Sequence, residues 1–283
     1  IFATVIPYSF NNSKKLFDTP DEERDVDFDI EKYQQEEAGN ALDESYVQIT
    51  TDYYLFLSGT PFRALNSGEF IEEQIYNWTY SDEQKAKHNW NGNGANPYVT
   101  LPQMIMMTYR IPEAIRNVAL RGEFNEFDLN VFFSASGEDE EAHFVYESEV
   151  QKWLDLMRGA YLPTSIDELK MNQNKRPPMP FTDIDLLNVL SHTIWFLPNV
   201  SSCYAMYNLI KKKQNIFYQD YQVIVCAGKK AGVGVEALYP VQVAMDNPLK
   251  TKSITLTCGK LTTGVTVKPW SGIFMLKSLK SPE

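Results

Sequence analysis

The chain has 283 residues with a formal net charge of -11 at pH 7, and 43% of its residues are apolar while 22% are charged. This composition is typical of a globular protein with one large or two modest domains. No apolar run approaches the roughly 18 residues of a membrane span. The N-terminus lacks a basic segment followed by an apolar run. We therefore expect neither a membrane span nor a signal peptide, and a cytoplasmic location.

The charge is unevenly distributed along the chain. Residues 18–44 carry twelve acidic side chains against Arg24 and Lys32, whereas residues 201–283 carry eleven lysines against four acids. The overall charge argues against a protein that coats nucleic acid. The basic C-terminal segment nevertheless favours contact with a polyanion. The alternative is charge scattered by chance over a solvated surface.

The cysteines and histidines favour structural roles. Cys203, Cys226 and Cys258 lie in apolar segments without metal-ligand spacing, so we expect buried free thiols of a reducing compartment and no metal site. His192 has no carboxylate partner visible in the sequence, which predicts a structural histidine rather than a catalytic one. Trp195 is predicted to lie in the core.

The first half of the chain predicts few regular elements. Residues 1–10 are apolar and predict a strand, and Gln48–Leu57 predicts another. The segment from Leu101 to Arg110 is apolar and predicts a strand that begins a second domain. Val145–Leu156 shows the apolar spacing of a helical face. An insertion is expected between about residues 66 and 180.

The last hundred residues alternate short apolar strands with helices. This alternation predicts an α/β fold with a parallel sheet and helices on both faces. Right-handed crossovers would bring the strand-end loops to one edge, where such sheets bind ligands. Ser201 or Ser202 is expected to cap the helix after the first strand. The predicted elements are a helix at Asp185–Leu190 and strands at Thr193–Leu197, Tyr221–Ala227, Ser253–Thr257 and Gly272–Leu276.

Two glycine-containing turns follow apolar strands. Leu55–Arg63 contains Ser-Gly-Thr-Pro, and Gly259–Thr266 reads Gly-Lys-Leu-Thr-Thr-Gly-Val-Thr. Backbone amides, hydroxyls and one ammonium group at a strand end suit a phosphate or a nucleic-acid backbone. An ordinary glycine-containing connector gives the same pattern.

Together these two segments resemble the superfamily 2 helicases and translocases, in particular the motors of restriction enzymes. The resemblance extends through most of residues 46–283. It implies a P-loop NTPase (RecA-like) second motor lobe, a remnant of the first lobe, and an ATP-dependent helicase or translocase of restriction-modification type. ATP and Mg²⁺ are implied for the intact parent protein. DNA is the implied partner, with an attached nuclease or methylase domain or subunit.

The chain lacks two motifs that such a motor needs. It contains neither G-x-x-x-x-G-K-[ST] nor an Asp-Glu-x-His box, and it opens on Ile1 rather than Met. We therefore expect an excised fragment that hydrolyses no ATP alone. The expected domains are a first-lobe remnant with the acidic segment at 1–65, a connecting insertion at 66–180, and a truncated second lobe at 181–283.

The resemblance also implies roles for particular residues in the two turns and in the segment around residue 200. Ser58, Gly59 and Thr60 would couple ATP hydrolysis to movement, and Arg63 and Gly264 would bind nucleotide. The residues implied to bind nucleic acid are Asn199, Ser202, Gly259, Lys260, Thr262 and Thr263.

Two other interpretations of the chain stay open. One is a non-catalytic α/β module that binds nucleic acid or protein without any motor. In the other, both glycine turns are connectors and the threonine hydroxyls only cap the turn. Paired carboxylates occur without a nucleophile or apolar shielding, so a glycosidase or nuclease site has little support.

Overall fold

The computed structural model of the chain describes residues 2–7, 53–58, 75–109, 117, 128–160, 179–232, 235–262 and 265–278. The chain divides into two compact units, Ile1–Met106 with Ser281–Glu283, and Met107–Lys280. The domain limits at residues 65 and 180 stay a prediction. None of the helices in the described parts of the chain has the length and apolar character that crossing a bilayer requires.

The first unit contains a three-stranded antiparallel sheet of order β2-β1-β3. The strands are β1 (Phe2–Pro7), β2 (Tyr53–Ser58) and β3 (Ile75–Asn77). Phe2 lies opposite Ser58 on one side and Asn77 on the other. The strands predicted within residues 1–10 and 48–57 are therefore confirmed.

Helix α1 (Tyr80–His88) follows this sheet and begins with a capping box. Asp82 N–H donates to the Thr79 hydroxyl at 3.2 Å, and Thr79 N–H donates to the Asp82 carboxylate at 3.1 Å. These bonds satisfy donors that the first helical turn would otherwise leave unpaired. The hydrogen bonds from Thr79 lower the pKa of Asp82 below its usual range.

The strand predicted at Leu101–Arg110 is wrong over the described residues 101–109, which form no regular element. The backbone here bonds to side chains of α1 instead of to a neighbouring strand. Lys87 donates to the Leu101 carbonyl at 2.6 Å, and Met104 N–H donates to the Tyr80 hydroxyl at 2.6 Å. Apolar character alone does not make a strand, because a strand needs a partner for its backbone groups.

In the described part of the second unit, a small helical and hairpin layer precedes the parallel sheet along the chain. Helix α2 (Leu129–Phe132) precedes a two-stranded antiparallel pair, β4 (Ala135–Ser136) and β5 (His143–Phe144). Helix α3 (Glu147–Met157) follows and confirms the predicted helical face. Its buried residues are Val150, Trp153, Leu154, Leu156 and Met157.

A four-stranded parallel sheet forms the centre of the second unit, in the order β7-β8-β6-β9. Its strands are β6 (His192–Phe196), β7 (Gln222–Val225), β8 (Ser253–Thr257) and β9 (Gly272–Met275). Every residue of β8 is buried, as expected for a central strand covered on both faces. The strands predicted in the last hundred residues are confirmed.

Helices connect these strands. Helix α4 (Ile184–Val189) precedes β6, α5 (Val200–Lys211) and the short α6 (Ile216–Gln219) join β6 to β7, and α7 (Val235–Ala244) joins β7 to β8. The connection through α5 runs from β6 across the sheet to β7 at its edge, and the connection through α7 runs back from β7 to β8. Because both crossovers are expected to be right-handed and they run in opposite directions, α5 and α7 lie on opposite faces of the sheet. The α/β class with a parallel sheet is confirmed, while the P-loop NTPase class stays a prediction.

The predicted cap at Ser201 or Ser202 is wrong, because Asn199 caps α5. Asn199 is extended, and its side-chain oxygen accepts the Ser202 N–H at 2.8 Å. The Ser202 hydroxyl is buried and donates to the Phe133 carbonyl at 2.7 Å, which joins α5 to the preceding layer.

The core lies between the sheet and its helices. Trp195 is fully buried and meets Trp153 edge-to-face with ring centroids 5.7 Å apart, so its predicted place in the core is confirmed. His192 is also buried, with Nδ1 2.8 Å from the Ser253 hydroxyl and Nε2 3.0 Å from the Pro248 carbonyl. Both ring nitrogens therefore have structural partners, as predicted.

Candidate functional site

The carboxyl ends of the parallel strands meet at one edge of the sheet. Leu197 N–H donates to the Thr257 carbonyl at 2.7 Å, and Cys226 N–H donates to the Leu256 carbonyl at 2.8 Å. The loops after β6, β7 and β8 therefore leave the sheet at one level. We call this the carboxyl edge, and in open α/β sheets it is the usual place for a ligand.

Helix α5 begins at the carboxyl edge. Its first turn carries backbone N–H groups and the positive end of the helix dipole, both of which favour anions. Asn199 fixes this turn by accepting the Ser202 N–H at 2.8 Å. Because Ser202 is buried, its side chain holds the turn in place.

The loop after β7 brings two lysines to the carboxyl edge. Gly228 and Gly232 have φ angles of 69° and 70°, and a 3-10 turn, Lys229–Ala231, lies between them. Lys230 is exposed and forms an ion pair with Asp139, whose hydrogen bond raises the lysine pKa. This pair joins the loop to the segment between β4 and β5.

The loop after β8 is a turn held by its own hydrogen bonds. The Thr257 hydroxyl donates to the Lys260 carbonyl at 2.6 Å, and the Thr262 hydroxyl donates to the Gly259 carbonyl at 2.5 Å. The Lys260 ammonium group donates to the Gly232 carbonyl, which connects this loop to the one after β7. The turn is therefore a defined surface that carries a positive charge.

Leu261 anchors this turn to the protein interior. It has a φ of 62°, which is uncommon for a residue with a side chain. Its side chain is buried against the face of α7, in a cluster with Ala237, Val241 and Ile224. The packing of Leu261 in this cluster offsets the cost of the left-handed backbone.

The fold brings five of the sequence-predicted residues to the carboxyl edge. Asn199 follows β6, and Gly259, Lys260 and Thr262 follow the neighbouring strand β8, while Ser202 lies beneath them. Ser58 is the last residue of β2, in the other unit. The predicted residues Gly59, Thr60, Arg63, Thr263 and Gly264 lie outside the described part of the chain. The roles assigned to all of these residues stay predictions.

Three lysines at this edge were not among the predicted site residues. Lys229 and Lys230 follow β7, and the Lys277 ammonium group after β9 lies 5.7 Å from the centre of the Phe196 ring. The sequence signal that could have found them is the position of each lysine just after an apolar strand, as in the turn after β8. A parallel sheet brings such positions together at one edge.

Buried thiols lie beneath the carboxyl edge. Cys203, Cys226 and Cys258 are free and buried, as the sequence predicts. Burial raises the pKa of Cys203 well above its usual value and that of Cys226 to about 11. Cys203 and Cys226 are therefore protonated at neutral pH and poor metal ligands, whereas the hydrogen bond from Cys203 lowers the pKa of Cys258 below its usual value. Across the described ranges, no cluster of His, Cys, Asp and Glu could hold a metal ion.

The chain is similar to a protein of Mycoplasma pneumoniae (strain ATCC 29342 / M129) named "Putative type II restriction enzyme and methyltransferase", C-terminus. The two are 29% identical over 258 residues, which cover 85% of this chain and 34% of that protein. The similarity is to a restriction–modification enzyme. The chain spans about a third of the length of this relative. It matches no protein-family profile and no solved structure.

This similarity corrects the functional prediction. The relative is named as a restriction enzyme and methyltransferase and not as a helicase, so the prediction of an ATP-dependent helicase or translocase is wrong. The predicted relation to restriction–modification systems is supported. The expectation of ATP and Mg²⁺ depended on the motor assignment and stays an untested prediction.

Proposed function

We propose that the chain is a DNA-contacting α/β part of a restriction–modification enzyme, and that the carboxyl edge of its parallel sheet binds the sugar–phosphate backbone. The observation that carries the proposal is the convergence of positive groups at this edge. The start of α5 lies there, together with lysines from the loops after β7, β8 and β9. The similarity to a restriction enzyme and methyltransferase supports DNA as the polyanion.

The groups at this edge suit phosphate rather than base recognition. Lysine ammonium groups and backbone N–H groups donate to phosphate oxygens, and these contacts carry no direct sequence information. The amino edge also carries lysines, among them Lys211, Lys250 and Lys252, but α5 and α7 end there and present the negative ends of their dipoles. The DNA backbone is therefore expected at the carboxyl edge.

The described residues divide into supports and contacts. Asn199 and Ser202 hold the first turn of α5, and the Thr257 and Thr262 hydroxyls hold the turn after β8. Lys260 and Lys277 contribute positive charge at the surface of that edge. Support and contact can be separated by experiment, because glutamine in place of lysine keeps a donor group and removes the charge.

The test is a salt titration of DNA binding, measured by the fluorescence anisotropy of a short labelled duplex. Lys260→Gln keeps a donor for the Gly232 carbonyl, so the fold should be unchanged. Affinity should fall evenly across duplexes of unrelated sequence. The slope of log K against log salt should fall by about one unit per lost phosphate contact. Lys277→Gln should behave in the same way.

The matched control is Lys250→Gln. Lys250 is exposed and precedes β8 at the amino edge, so its substitution changes the net charge equally. It should leave DNA affinity and the salt slope as in the wild type. The proposal fails if Lys260→Gln and Lys277→Gln bind as the wild type does. It also fails if Lys250→Gln weakens binding as much, since the effect would then reflect overall charge.

A further inference from the structure

Strand β7 forms one edge of the parallel sheet, and the structure places no described strand on its outer side. Gln222 N–H donates to the Lys252 carbonyl at 2.9 Å and Cys226 N–H to the Leu256 carbonyl at 2.8 Å. Successive residues of a parallel strand direct their backbone groups to alternate sides. The N–H and C=O groups of Val223 and Val225 therefore point away from β8.

These outward groups face a groove of about 880 Å³. The four residues of β7 form its floor. Helix α5 lines it with Tyr204, Tyr207 and Asn208, and helix α7 lines it with Tyr239, Pro240 and Val243. Tyr239 is 66% exposed and Val243 is 53% exposed. The groove thus combines an unpaired strand edge with apolar and aromatic side chains along its length.

The groove also has an acidic border, formed by Glu138, Asp139, Glu140 and Glu141. The three glutamates are exposed, and Asp139 pairs with Lys230. The Asn208 side-chain amide donates to the Asp139 and Ala142 carbonyls at 2.8 and 2.9 Å. These bonds fix the acidic segment to α5, so its charge is held beside the groove. A DNA phosphate would be repelled here.

We propose that this groove binds an extended, basic peptide segment of a partner protein as an added strand on β7. The outward groups of Val223 and Val225 would supply the hydrogen bonds of the new strand pair, as in other cases of strand addition. Because alternate side chains of a strand point to opposite sides, the Lys or Arg residues of the segment would face the acidic border on the α5 side. Its apolar residues would face Tyr239, Pro240 and Val243 on the α7 side. This interaction goes beyond the proposed DNA contact, and the residues tested for the two do not overlap, although Lys230 lines the groove and also follows β7.

The probe is a fluorescein-labelled peptide with the sequence Lys-Val-Lys-Val-Thr-Val-Lys, blocked at both ends. It should bind the full chain saturably in an anisotropy titration. A peptide with glutamate in place of each lysine should bind at least about tenfold more weakly, because its negative charges are repelled by the acidic border. Two further peptides carry N-methyl groups on the odd-numbered or on the even-numbered residues. One of the two should lose a similar factor in affinity, because its N–H groups that would donate to β7 are the methylated ones.

Two variants of the chain test the two sides of the interaction. Val223→Pro removes an outward donor and keeps the bonds between β7 and β8, which proline at a strand edge allows. Glu140→Lys with Glu141→Lys reverses the acidic border without touching the sheet. Each should weaken binding of the basic peptide about tenfold. Asp185→Lys, an exposed residue of α4 that does not line the groove, is the matched control and should bind as the wild type does.

Three results would overturn the proposal. The first is equal binding of the basic and acidic peptides. The second is wild-type affinity in either the Val223→Pro or the double lysine variant, each checked for native folding by circular dichroism, so that one variant suffices if the other folds poorly. The third is concentration-dependent self-association, measured by analytical ultracentrifugation, that Val223→Pro abolishes. A second copy of the chain would then be the occupant. DNA affinity is measured in parallel, and its loss in the lysine-to-glutamine variants is independent of these outcomes.

Discussion

Substitution of Asn199 separates the stability of the carboxyl edge from its affinity for DNA. The Asn199 side-chain oxygen accepts the Ser202 N–H at 2.8 Å. Asn199→Ala removes this hydrogen bond. Asn199→Asp keeps it and adds a negative charge where α5 begins. The two variants therefore change different properties of the same turn.

The expected magnitudes follow from these contacts. Loss of an N-cap to alanine costs about 1 kcal/mol, and up to about 2 in proteins. The Ser202 hydroxyl keeps its bond to the Phe133 carbonyl at 2.7 Å, so no buried hydroxyl is left unpaired. We expect Asn199→Ala to lower the free energy of unfolding by about 1–2 kcal/mol. For Asn199→Asp we expect no loss, or a gain of about 0.3–1 kcal/mol from the helix dipole.

DNA binding should show the opposite order. The added charge of Asn199→Asp repels a phosphate at the start of α5, and about 1.4 kcal/mol of repulsion corresponds to a tenfold loss of affinity. Asn199→Ala should bind DNA more nearly as the wild type does, under conditions where it is folded. Urea unfolding followed by tryptophan fluorescence gives the stability, and anisotropy at fixed salt gives the affinity.

Two outcomes would refute this reasoning. Full DNA affinity in Asn199→Asp would mean that the start of α5 does not face the DNA backbone. Unchanged stability in Asn199→Ala would mean that the cap contributes little, and that other contacts hold this end of the helix. Asn199→Ser is the matched control, because serine retains a capping oxygen without adding charge.

Two further predictions concern stability near the carboxyl edge. Burial raises the pKa of Cys226 in the folded state from 9.0 to about 11, so the folded state holds this proton more tightly than the unfolded state. The contribution of this group to the free energy of unfolding is therefore fully present below about pH 9. It falls by about 2 kcal/mol as the pH rises to 11. The urea midpoint measured against pH reports this fall in stability. Cys226→Ala should reduce the fall, and an unchanged fall in that variant would mean that the thiol is not responsible. Gly232→Ala should lower the free energy of unfolding by about 1 kcal/mol or more, because Gly232 has a φ of 70° and a new Cβ would lie 2.6 Å from Glu236. At Gly259 a new Cβ meets nothing within 4 Å, so Gly259→Ala should leave the melting temperature unchanged. Equal melting temperatures for the two alanine variants would contradict this reasoning.

Where the pattern of apolar residues was unambiguous, sequence predicted structure. The runs that became β6, β8 and the face of α3 are continuous or helically spaced, and burial leaves few alternatives for them. Residues 101–109 are as apolar but form no strand, because α1 side chains take their backbone groups. Helix α7 was not predicted, since Pro240 lies inside it and its apolar residues occupy no single face.

The candidate site shows the same division. The sequence by itself singled out the turn that begins at Gly259, because glycine, lysine and hydroxyl groups after an apolar strand are local features. Asn199 was predicted only through the family resemblance, and the roles of both stay predictions. The pair of Lys230 with Asp139, which are 91 residues apart, exists only once the chain has folded.

The sequence determined the class of fold and the position of the strand-end turns, since hydrophobic periodicity and turn residues act over a few neighbours. The tertiary structure decided which turns share an edge, which hydroxyls face inward, and which strand lies outermost with a groove beside it. Ser202 illustrates the difference: its sequence position suggests a cap, but the Phe133 carbonyl above it makes it a buried link between layers. Such assignments depend on contacts between residues far apart in the chain, which no local pattern contains.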